Sequence, residues 1–158
     1  MKTPAGMLYL VAREHVLLAA GFRSFADLHE RMDDSEFAIG IKDSKSIPII
    51  SELVRNYFDG DLNALNGIAV RQPGSEFSQD VWKAMRKIPA GKTWSYADLA
   101  KKIGSPAAVR AVGTACGKNL VAPIIPCHRV VKSGGAIGNY GYGVETKAVL
   151  LRHEGVLE

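Results

Sequence analysis

Cysteine is scarce in this chain of 158 residues, which contains two cysteines, Cys116 and Cys127. Two cysteines so near each other in sequence do not form the disulfide framework of a small secreted domain. No CxxC pair is present, so the sequence predicts no structural zinc and no other metal site. Reduced thiols fit a reducing compartment, and we therefore expect a cytoplasmic protein.

A long hydrophobic run is also missing. The most apolar stretch near the N-terminus, residues 7–22, is interrupted by Arg13, Glu14 and His15. Such a stretch predicts neither a signal peptide nor a membrane span. Apolar residues still make up 47% of the composition, enough for a substantial core.

Charge is unevenly distributed along the chain. Residues 1–78 contain 8 Lys and Arg against 11 Asp and Glu, whereas residues 79–158 contain 12 against 5. A basic half is typical of proteins that bind a polyanion, because Lys and Arg displace counterions from phosphates. A solvated basic surface without a partner explains the same charge equally well.

The change in charge coincides with a predicted domain boundary. A segment with Pro73 and Gly74 separates residues 1–72 from residues 77–158. The first half has mixed α/β patterns: a hairpin (8–12 and 16–20), a helix (25–31) capped by Ser24, a strand (38–41), a helix (46–58) and a strand (65–70). Its acidic residues show no metal-ligand spacing. The first half therefore offers no chemistry of its own.

Helical patterns dominate the second half, over residues 77–88, 96–103, 106–116 and 145–153. Gly104 separates two short helices, which predicts a helix-turn-helix. Ser105 and Pro106 are the expected N-cap and first residue of the second. That helix has mostly small side chains, and Arg110 is its single charge. It suits close approach to a nucleic-acid groove, and equally suits packing against neighbouring helices with Arg110 as a surface cation.

Chemistry is concentrated in the pentad Pro126-Cys127-His128-Arg129-Val130, which lies in a strand-like apolar run. The thiolate is the nucleophilic form of cysteine, and a nearby imidazole or cation favours it. Neighbours in an extended segment point to opposite faces, so we expect no direct contact between the side chains of Cys127 and His128.

A glycine-rich loop follows, over residues 133–143, and includes Tyr140 and Tyr142. Such a loop brings backbone groups close to a flat ligand, and its aromatic rings suit stacking on a base. A flexible loop with incidental tyrosines is the alternative. Before the pentad, the amide of Asn119 is suited to tie one turn to the next because it both donates and accepts.

Taken together, these motifs resemble the O6-alkylguanine-DNA alkyltransferases, also called methylated-DNA–protein-cysteine methyltransferases. The resemblance covers residues 77–155 and is carried by Ser95-Tyr96, Arg110-Ala111-Val112-Gly113, Asn119, Ile125-Pro126-Cys127-His128-Arg129-Val130-Val131, Gly138-Asn139-Tyr140 and His153-Glu154-Gly155. The first half matches more loosely, through Thr3-Pro4-x-Gly6-x-Leu8-x-Leu10. The resemblance implies an α/β ribonuclease-H-like N-terminal domain. It also implies a mainly helical, winged-helix-like C-terminal domain with a helix-turn-helix.

The resemblance also implies a reaction, the transfer of one alkyl group from guanine O6 in duplex DNA to Cys127. His128 would act as a base through a water, and Glu154 would orient His128. Tyr96 would donate a proton towards guanine N3, and Asn119 belongs to the same catalytic set. The thioether product has no route back to a thiolate, so each molecule reacts once. No cofactor is implied, and we expect a monomer.

Contacts with DNA follow from the same resemblance. The helix at residues 106–116 would enter the minor groove and Arg110 would replace the flipped nucleotide. The residues expected to touch DNA are Arg110, Ala97, Ser105, Ala111, Gly113 and Ser133, and those expected to line the base pocket are Val130, Tyr140 and Gly141.

The chain departs from the family pattern at several positions. Leu120 stands where many members have proline after the asparagine, and Gly141 replaces a frequent serine. Cys116 stands where larger apolar residues are common, and we expect a packed thiol there rather than a second acceptor. The alternative functions are a non-catalytic sensor of alkylated DNA, a thiol hydrolase and a plain helix-turn-helix regulator. The sensors lack the acceptor cysteine that Cys127 supplies.

Overall fold

A computed structural model of the chain describes residues 1–36 and 40–158. These residues form helices with three small sheets. The predicted strand at 38–41 falls partly outside the described residues, and Gly40 and Ile41 have no regular structure. Within the described residues, no helix is long and apolar enough to cross a membrane.

The first half is built around a β-hairpin, as predicted. After a short ribbon of β1 (Lys2–Thr3) and β2 (Gly6–Met7), β3 (Tyr9–Arg13) pairs antiparallel with β4 (Val16–Gly21). Strand β5 (Ala69–Val70) adds to β4 in parallel. Strand β4 is the central strand of this sheet and is almost entirely buried, because Val, Leu and Ala occupy nearly every position.

Strand β5 is shorter than the predicted strand at 65–70, which is wrong in its first part. Residues Ala64–Gly67 form a turn of 3-10 helix instead. Strand β5 pairs with Val16 and Leu17, the first residues of β4. Residues before Ala69 would have to pair with the turn that precedes β4, where no strand is available.

Two helices complete the first half. Helix α1 (Phe25–Arg31) begins after Ser24, whose side chain accepts a hydrogen bond from the Asp27 N–H, so the predicted helix and cap are confirmed. Helix α2 (Ile50–Phe58) begins later than the predicted residue 46. Pro48 disfavours a helical backbone before it, and Ile49 has a left-handed φ of 70°.

The second half contains α3 (Glu76–Met85), α4 (Tyr96–Lys102), α5 (Val109–Gly117) and α6 (Val144–His153). Parallel strands β6 (Trp94–Ser95) and β7 (Val130–Val131) link the start of α4 to the pentad. Helix α4 begins with a capping box in which Ser95 and Asp98 bond each other's backbone N–H. Helices α4 and α5 form the predicted helix-turn-helix.

The start of α5 corrects the prediction, because the helix begins at Val109 rather than residue 106. Ser105 does not cap it. The Ser105 carbonyl instead accepts from the Ala108 N–H at 2.9 Å, which closes a turn. Pro106 occupies the second position of that turn, where the fixed φ of proline is favoured.

The pentad also differs from the predicted extended segment. Residues Cys127–Arg129 form one turn of 3-10 helix, closed by the Arg129 N–H on the Pro126 carbonyl at 3.0 Å. The strand begins after that turn, at Val130. Alternation between opposite faces therefore does not describe Cys127 and His128. The turn instead directs His128 and Arg129 to the same carboxylate.

The two halves share a continuous buried core, which extends from Leu8 to Leu150. At the junction, Ala20 of β4 forms a parallel bridge with Val121. The Ala20 N–H donates to the Leu120 carbonyl at 2.9 Å, and the Ala122 N–H donates back to Ala20 at 3.2 Å. The first half thus fixes the backbone just ahead of the pentad.

Candidate active site

Cys127 is partly exposed at the end of a buried segment. Its Sγ accepts a hydrogen bond from Asn119 Nδ2 at 3.4 Å. Burial raises the pKa of the thiol, while the Asn119 hydrogen bond and the nearby Lys147 cation pull it down less strongly. The sulfur is therefore protonated at neutral pH, and a base has to remove the proton before it can attack.

His128, the next residue in the chain, forms a buried pair with Glu154. His128 Nε2 lies 2.9 Å from Glu154 Oε2, and both side chains are fully buried. Arg129 binds the same carboxylate in bidentate fashion, with Nε 2.8 Å from Oε1 and Nη2 2.8 Å from Oε2. Burial opposes ionisation of Glu154. The hydrogen bonds from His128 and Arg129 outweigh it, and the pKa of Glu154 lies well below its ordinary range.

The ionised carboxylate decides which nitrogen of His128 is basic. Glu154 accepts hydrogen bonds and cannot donate, so His128 Nε2 must carry the ring proton. Burial lowers the pKa of His128 more than Glu154 raises it, so the ring is neutral at neutral pH. Nδ1 then holds the free lone pair, and it has no hydrogen-bond partner in the described part of the chain. The site therefore contains a neutral base whose acceptor atom is Nδ1.

A tyrosine from the first half completes this cluster. The Tyr57 hydroxyl, on α2, donates to Glu154 Oε2 at 2.6 Å. Burial raises the pKa of Tyr57, so its phenol remains a donor. Sequence reasoning missed this residue, because Tyr57 belongs to the apolar stripe of a helix and reads as core. Arg129 was noticed because it lies in the pentad with Cys127, but its carboxylate partner was not predicted.

Lys147 of α6 is a second residue that sequence reasoning missed. It is completely buried, and its Nζ donates to the Val130 carbonyl at 2.7 Å and to the Asn139 carbonyl at 3.2 Å. Burial lowers the pKa of Lys147 to about 8, against the effect of the Cys127 and Cys116 thiols. Lys147 thus connects β7 to the glycine-rich loop.

The predicted base-pocket residues lie around this loop. Val130 is buried, and its carbonyl already accepts from Lys147 with one lone pair. The Tyr140 hydroxyl is buried without a hydrogen-bond partner among the described residues. The Gly141 carbonyl accepts a hydrogen bond from Arg23 Nη2 at 2.6 Å. The loop is therefore anchored to the first half close to a buried, unpaired phenol.

Tyr96, at the start of α4, lies apart from the hydrogen-bonded cluster. It is partly exposed, and burial together with the nearby Cys116 and Cys127 thiols raises its pKa. Gly113 of α5 lies against its ring, since a Cβ there would be 3.9 Å from Tyr96 Cδ1. Tyr96 is therefore a protonated phenol beside the thiol and under α5.

The predicted DNA-contacting residues are all at least partly exposed. Arg110 and Ala111 are exposed on α5, Ser133 is exposed in the glycine-rich loop, and Ala97, Ser105 and Gly113 are partly exposed. Arg110 has no side-chain partner within the residues that the structure describes. Trp82 fixes the inner face of α5 by donating from Nε1 to the Ala115 carbonyl at 2.9 Å.

Cys116 lies on the inner side of α5, buried against Met85, whose Sδ is 3.6 Å from its Sγ. Burial raises the pKa of Cys116 to about 12, which fits the expected packed thiol. In the part of the chain that the structure covers, no cluster of three or more His, Cys, Asp or Glu side chains is placed to hold a metal ion.

Several known proteins are similar to this chain in sequence and in fold. A family model described as the DNA-binding domain of 6-O-methylguanine DNA methyltransferase matches residues 76–156. The methylated-DNA–protein-cysteine methyltransferase of Shigella flexneri is 34% identical over 163 residues, covering 98% of this chain and 93% of that protein. The chain belongs to the methylated-DNA–protein-cysteine methyltransferase family. Members of this family repair alkylated DNA by direct reversal, and the chain is an enzyme of that kind.

Two further comparisons cover different parts of this methyltransferase. The bifunctional transcriptional activator/DNA repair enzyme Ada of Escherichia coli is 56% identical over 81 residues, which are 51% of this chain and 23% of that protein. The crystal structure of Mycobacterium tuberculosis OGT in complex with DNA matches with a TM-score of 0.80 and 31% identity, covering 99% of this chain and 92% of that chain. The similarity to OGT therefore includes the first half.

Proposed function

We propose that the methyltransferase moves an alkyl group from O6 of guanine in duplex DNA to Cys127, once per molecule. The observation that carries this proposal is the neutral His128, whose Nε2–H is held by ionised Glu154 and whose Nδ1 is unpaired. A thiol with a raised pKa needs such a base next to it. Cys127 and His128 supply the pair.

The transfer is a displacement at carbon. A water passes the thiol proton to His128 Nδ1, and Glu154 stabilises the resulting imidazolium. Cys127 Sγ forms a bond to the alkyl carbon while the bond between carbon and O6 breaks. The electron pair of that bond remains on the purine, and Tyr96 transfers its hydroxyl proton to N3. Exchange through water then returns the imidazolium proton to the Tyr96 phenolate and moves the purine proton from N3 to N1. The products are S-alkylcysteine and unmodified guanine, and one proton has passed from the thiol to the purine.

The base must leave the duplex stack to reach Cys127, which costs a few kcal/mol. Arg110 is exposed on α5 among small side chains, and this supports its insertion where the nucleotide was. A minor-groove position for α5 fits these small residues. The pocket for the flipped base would be formed by Val130, Tyr140 and Gly141, where the unpaired Tyr140 hydroxyl suits a polar ligand.

The proposal includes the finer organisation of the chain. The hairpin with a parallel third strand supports an α/β ribonuclease-H-like domain over residues 1–72. Helices α4 and α5 with the β6–β7 pair support a winged-helix-like domain over residues 77–158. A cytoplasmic location suits the reduced thiol that the reaction needs, and reaction by a monomer requires no second chain at the site.

Intact-protein mass spectrometry tests the proposed function. After incubation with duplex DNA that contains one O6-methylguanine, we expect the protein mass to increase by one CH₂ and then stop. Peptide mapping should place the modification on Cys127. The matched control is Cys127→Ser, which should gain no mass and still bind the duplex. No gain in the wild-type protein, or a gain on another residue, would contradict the proposal.

Removing the side chain of Arg110 should slow repair in duplex DNA specifically. In Arg110→Ala, nothing replaces the flipped base in the stack, so we expect the single-turnover rate on duplex to fall about tenfold or more. On a free O6-alkylated guanine base, which needs no flipping, the rate should stay within about twofold. Quenched-flow assays on both substrates check this, and an equal loss on both would show that Arg110 does not act in flipping.

A further inference from the structure

Gln72 lies in the segment between the two halves and is buried, with 6% of its surface exposed. Both ends of its side-chain amide are used. Oε1 accepts from the Leu120 backbone N–H at 2.8 Å, and Nε2 donates to Asn119 Oδ1 at 3.0 Å. The Gln72 backbone carbonyl in turn accepts from Gln79 Nε2 at 2.7 Å. The buried Gln72 side chain thus forms hydrogen bonds to two consecutive residues, Asn119 and Leu120, which precede the pentad.

Asn119 connects the Gln72 side chain to the Cys127 sulfur. Its Oδ1 accepts from Gln72 Nε2 and from the Val121 N–H at 3.0 Å. Its Nδ2 donates to the Ile125 carbonyl at 2.8 Å and to Cys127 Sγ at 3.4 Å. All the polar atoms of the Asn119 side chain are therefore paired inside the protein.

The network permits one orientation of each amide. A flipped Asn119 would place its NH₂ against two donors and its oxygen against the Ile125 carbonyl. A flipped Gln72 would place its NH₂ against the Leu120 N–H. The backbone groups of Leu120, Val121 and Ile125 settle both orientations, since their donor and acceptor atoms are known. The side chain of Asn119 can therefore present only an N–H to the sulfur.

Gln72 also satisfies a backbone group beside Asn119. Leu120 is 3% exposed, and its backbone N–H needs an acceptor inside the protein. Gln72 Oε1 is that acceptor.

We propose that Gln72 is a positioning residue for the transfer reaction, which pairs the Leu120 N–H and holds the Asn119 amide on Cys127. Gln72 acts through Asn119 and touches neither substrate nor sulfur. This inference rests on the proposed function, because it assigns a role in alkyl transfer to Cys127. The N–H from Asn119 favours the thiolate. Loosening Asn119 should therefore make the thiol harder to ionise.

Gln72→Met, which keeps the length of the side chain and removes both hydrogen bonds, tests the inference. We expect the single-turnover rate to fall about threefold to tenfold at neutral pH. The pH dependence of Cys127 alkylation by iodoacetamide, measured without DNA, should shift to higher pH. Gln72→Met/Leu120→Pro also removes the Leu120 N–H, but its Asn119 Oδ1 still lacks the Gln72 donor, so the pH profile should stay shifted to higher pH. Leu120→Pro alone keeps that donor and should stay within about twofold of wild type in rate and pH profile.

An unchanged pH profile in Gln72→Met would overturn the inference, even if stability falls, because a merely structural residue would not move the thiol titration. A double variant with the wild-type pH profile would overturn it too, because the profile would then not depend on the donor to Asn119. If Gln72→Met does not fold, the inference requires a shifted profile in the double variant and a wild-type profile in Leu120→Pro. Failure of the proposed function is distinguishable, since wild-type protein would then gain no methyl group while its thiol titration remains measurable.

Discussion

Glu154→Gln should lower the single-turnover rate of alkyl transfer by about 10²–10⁴-fold at neutral pH. Four hydrogen bonds, from Tyr57, His128 and two nitrogens of Arg129, converge on the carboxylate. An amide has one acceptor oxygen, and its NH₂ would have to face some of these donors. Where the NH₂ faces His128 Nε2, the ring proton moves to Nδ1 and blocks the proposed base atom. The imidazolium would also lose its counter-charge.

The measurement uses excess protein over a duplex with one O6-methylguanine, with binding to the same duplex followed by fluorescence anisotropy. Binding within about threefold of wild type would show that the variant is folded. Tyr57→Phe is the matched control, because it removes one donor from the same carboxylate oxygen and leaves the charge and the His128 tautomer in place. Its rate should fall less than about tenfold. A rate for Glu154→Gln within tenfold of wild type would rule out the proposed role of Glu154.

Arg129→Met should destabilise the protein by about 3–5 kcal/mol, because it leaves the buried Glu154 charge without its bidentate cationic partner. Arg129 is 4% exposed. It makes both guanidinium bonds to Glu154 and a third to the Ile88 carbonyl at 2.7 Å. Methionine of similar length fills the space but offers no donor. Urea denaturation at neutral pH, followed by circular dichroism, measures the loss.

The loss should depend on pH with a definite sign. Glu154 has a pKa depressed below the ordinary 4.5, so its stabilising contribution is fully present above that value and is lost progressively as the pH falls from there through the depressed pKa. The difference between wild type and Arg129→Met should therefore shrink below about pH 4.5. Arg129→Met/Glu154→Gln, which removes both charges, should be more stable than Arg129→Met alone. A double variant that is less stable would refute the buried-charge explanation.

Local signals in the sequence were sufficient for most of the helices. Ser24 caps α1, and Ser95 with Asp98 begins α4, because a capping side chain bonds a backbone N–H a few residues away. The errors arose where the same residues are compatible with two different local structures. Ser105 and Pro106 resemble a cap but close a turn, and the apolar pentad resembles a strand but begins with a 3-10 turn.

The sequence was sufficient to predict the acceptor cysteine and its proposed catalytic partners. It did not predict the hydrogen bonds that hold them. Motifs and family resemblance singled out Cys127, His128 and Glu154. Tyr57 lies 97 positions from Glu154, and Gln72 lies 47 positions from Asn119. Hydrogen bonds over such separations leave no periodic trace in the sequence, because each partner, taken alone, resembles an ordinary core or linker residue.

The sequence by itself determined which cysteine is the proposed acceptor. Cys127 lies between Pro126 and His128, in the basic half of the chain that contains the helix-turn-helix. These features depend on residues close together in the chain. The tertiary structure alone decided how the proposed base, His128, is held. It brings an arginine, a tyrosine and a histidine to one buried carboxylate, and this leaves Nδ1 of His128 as the basic atom. Protonation depends on burial and on partners in space, and neither can be read along the chain.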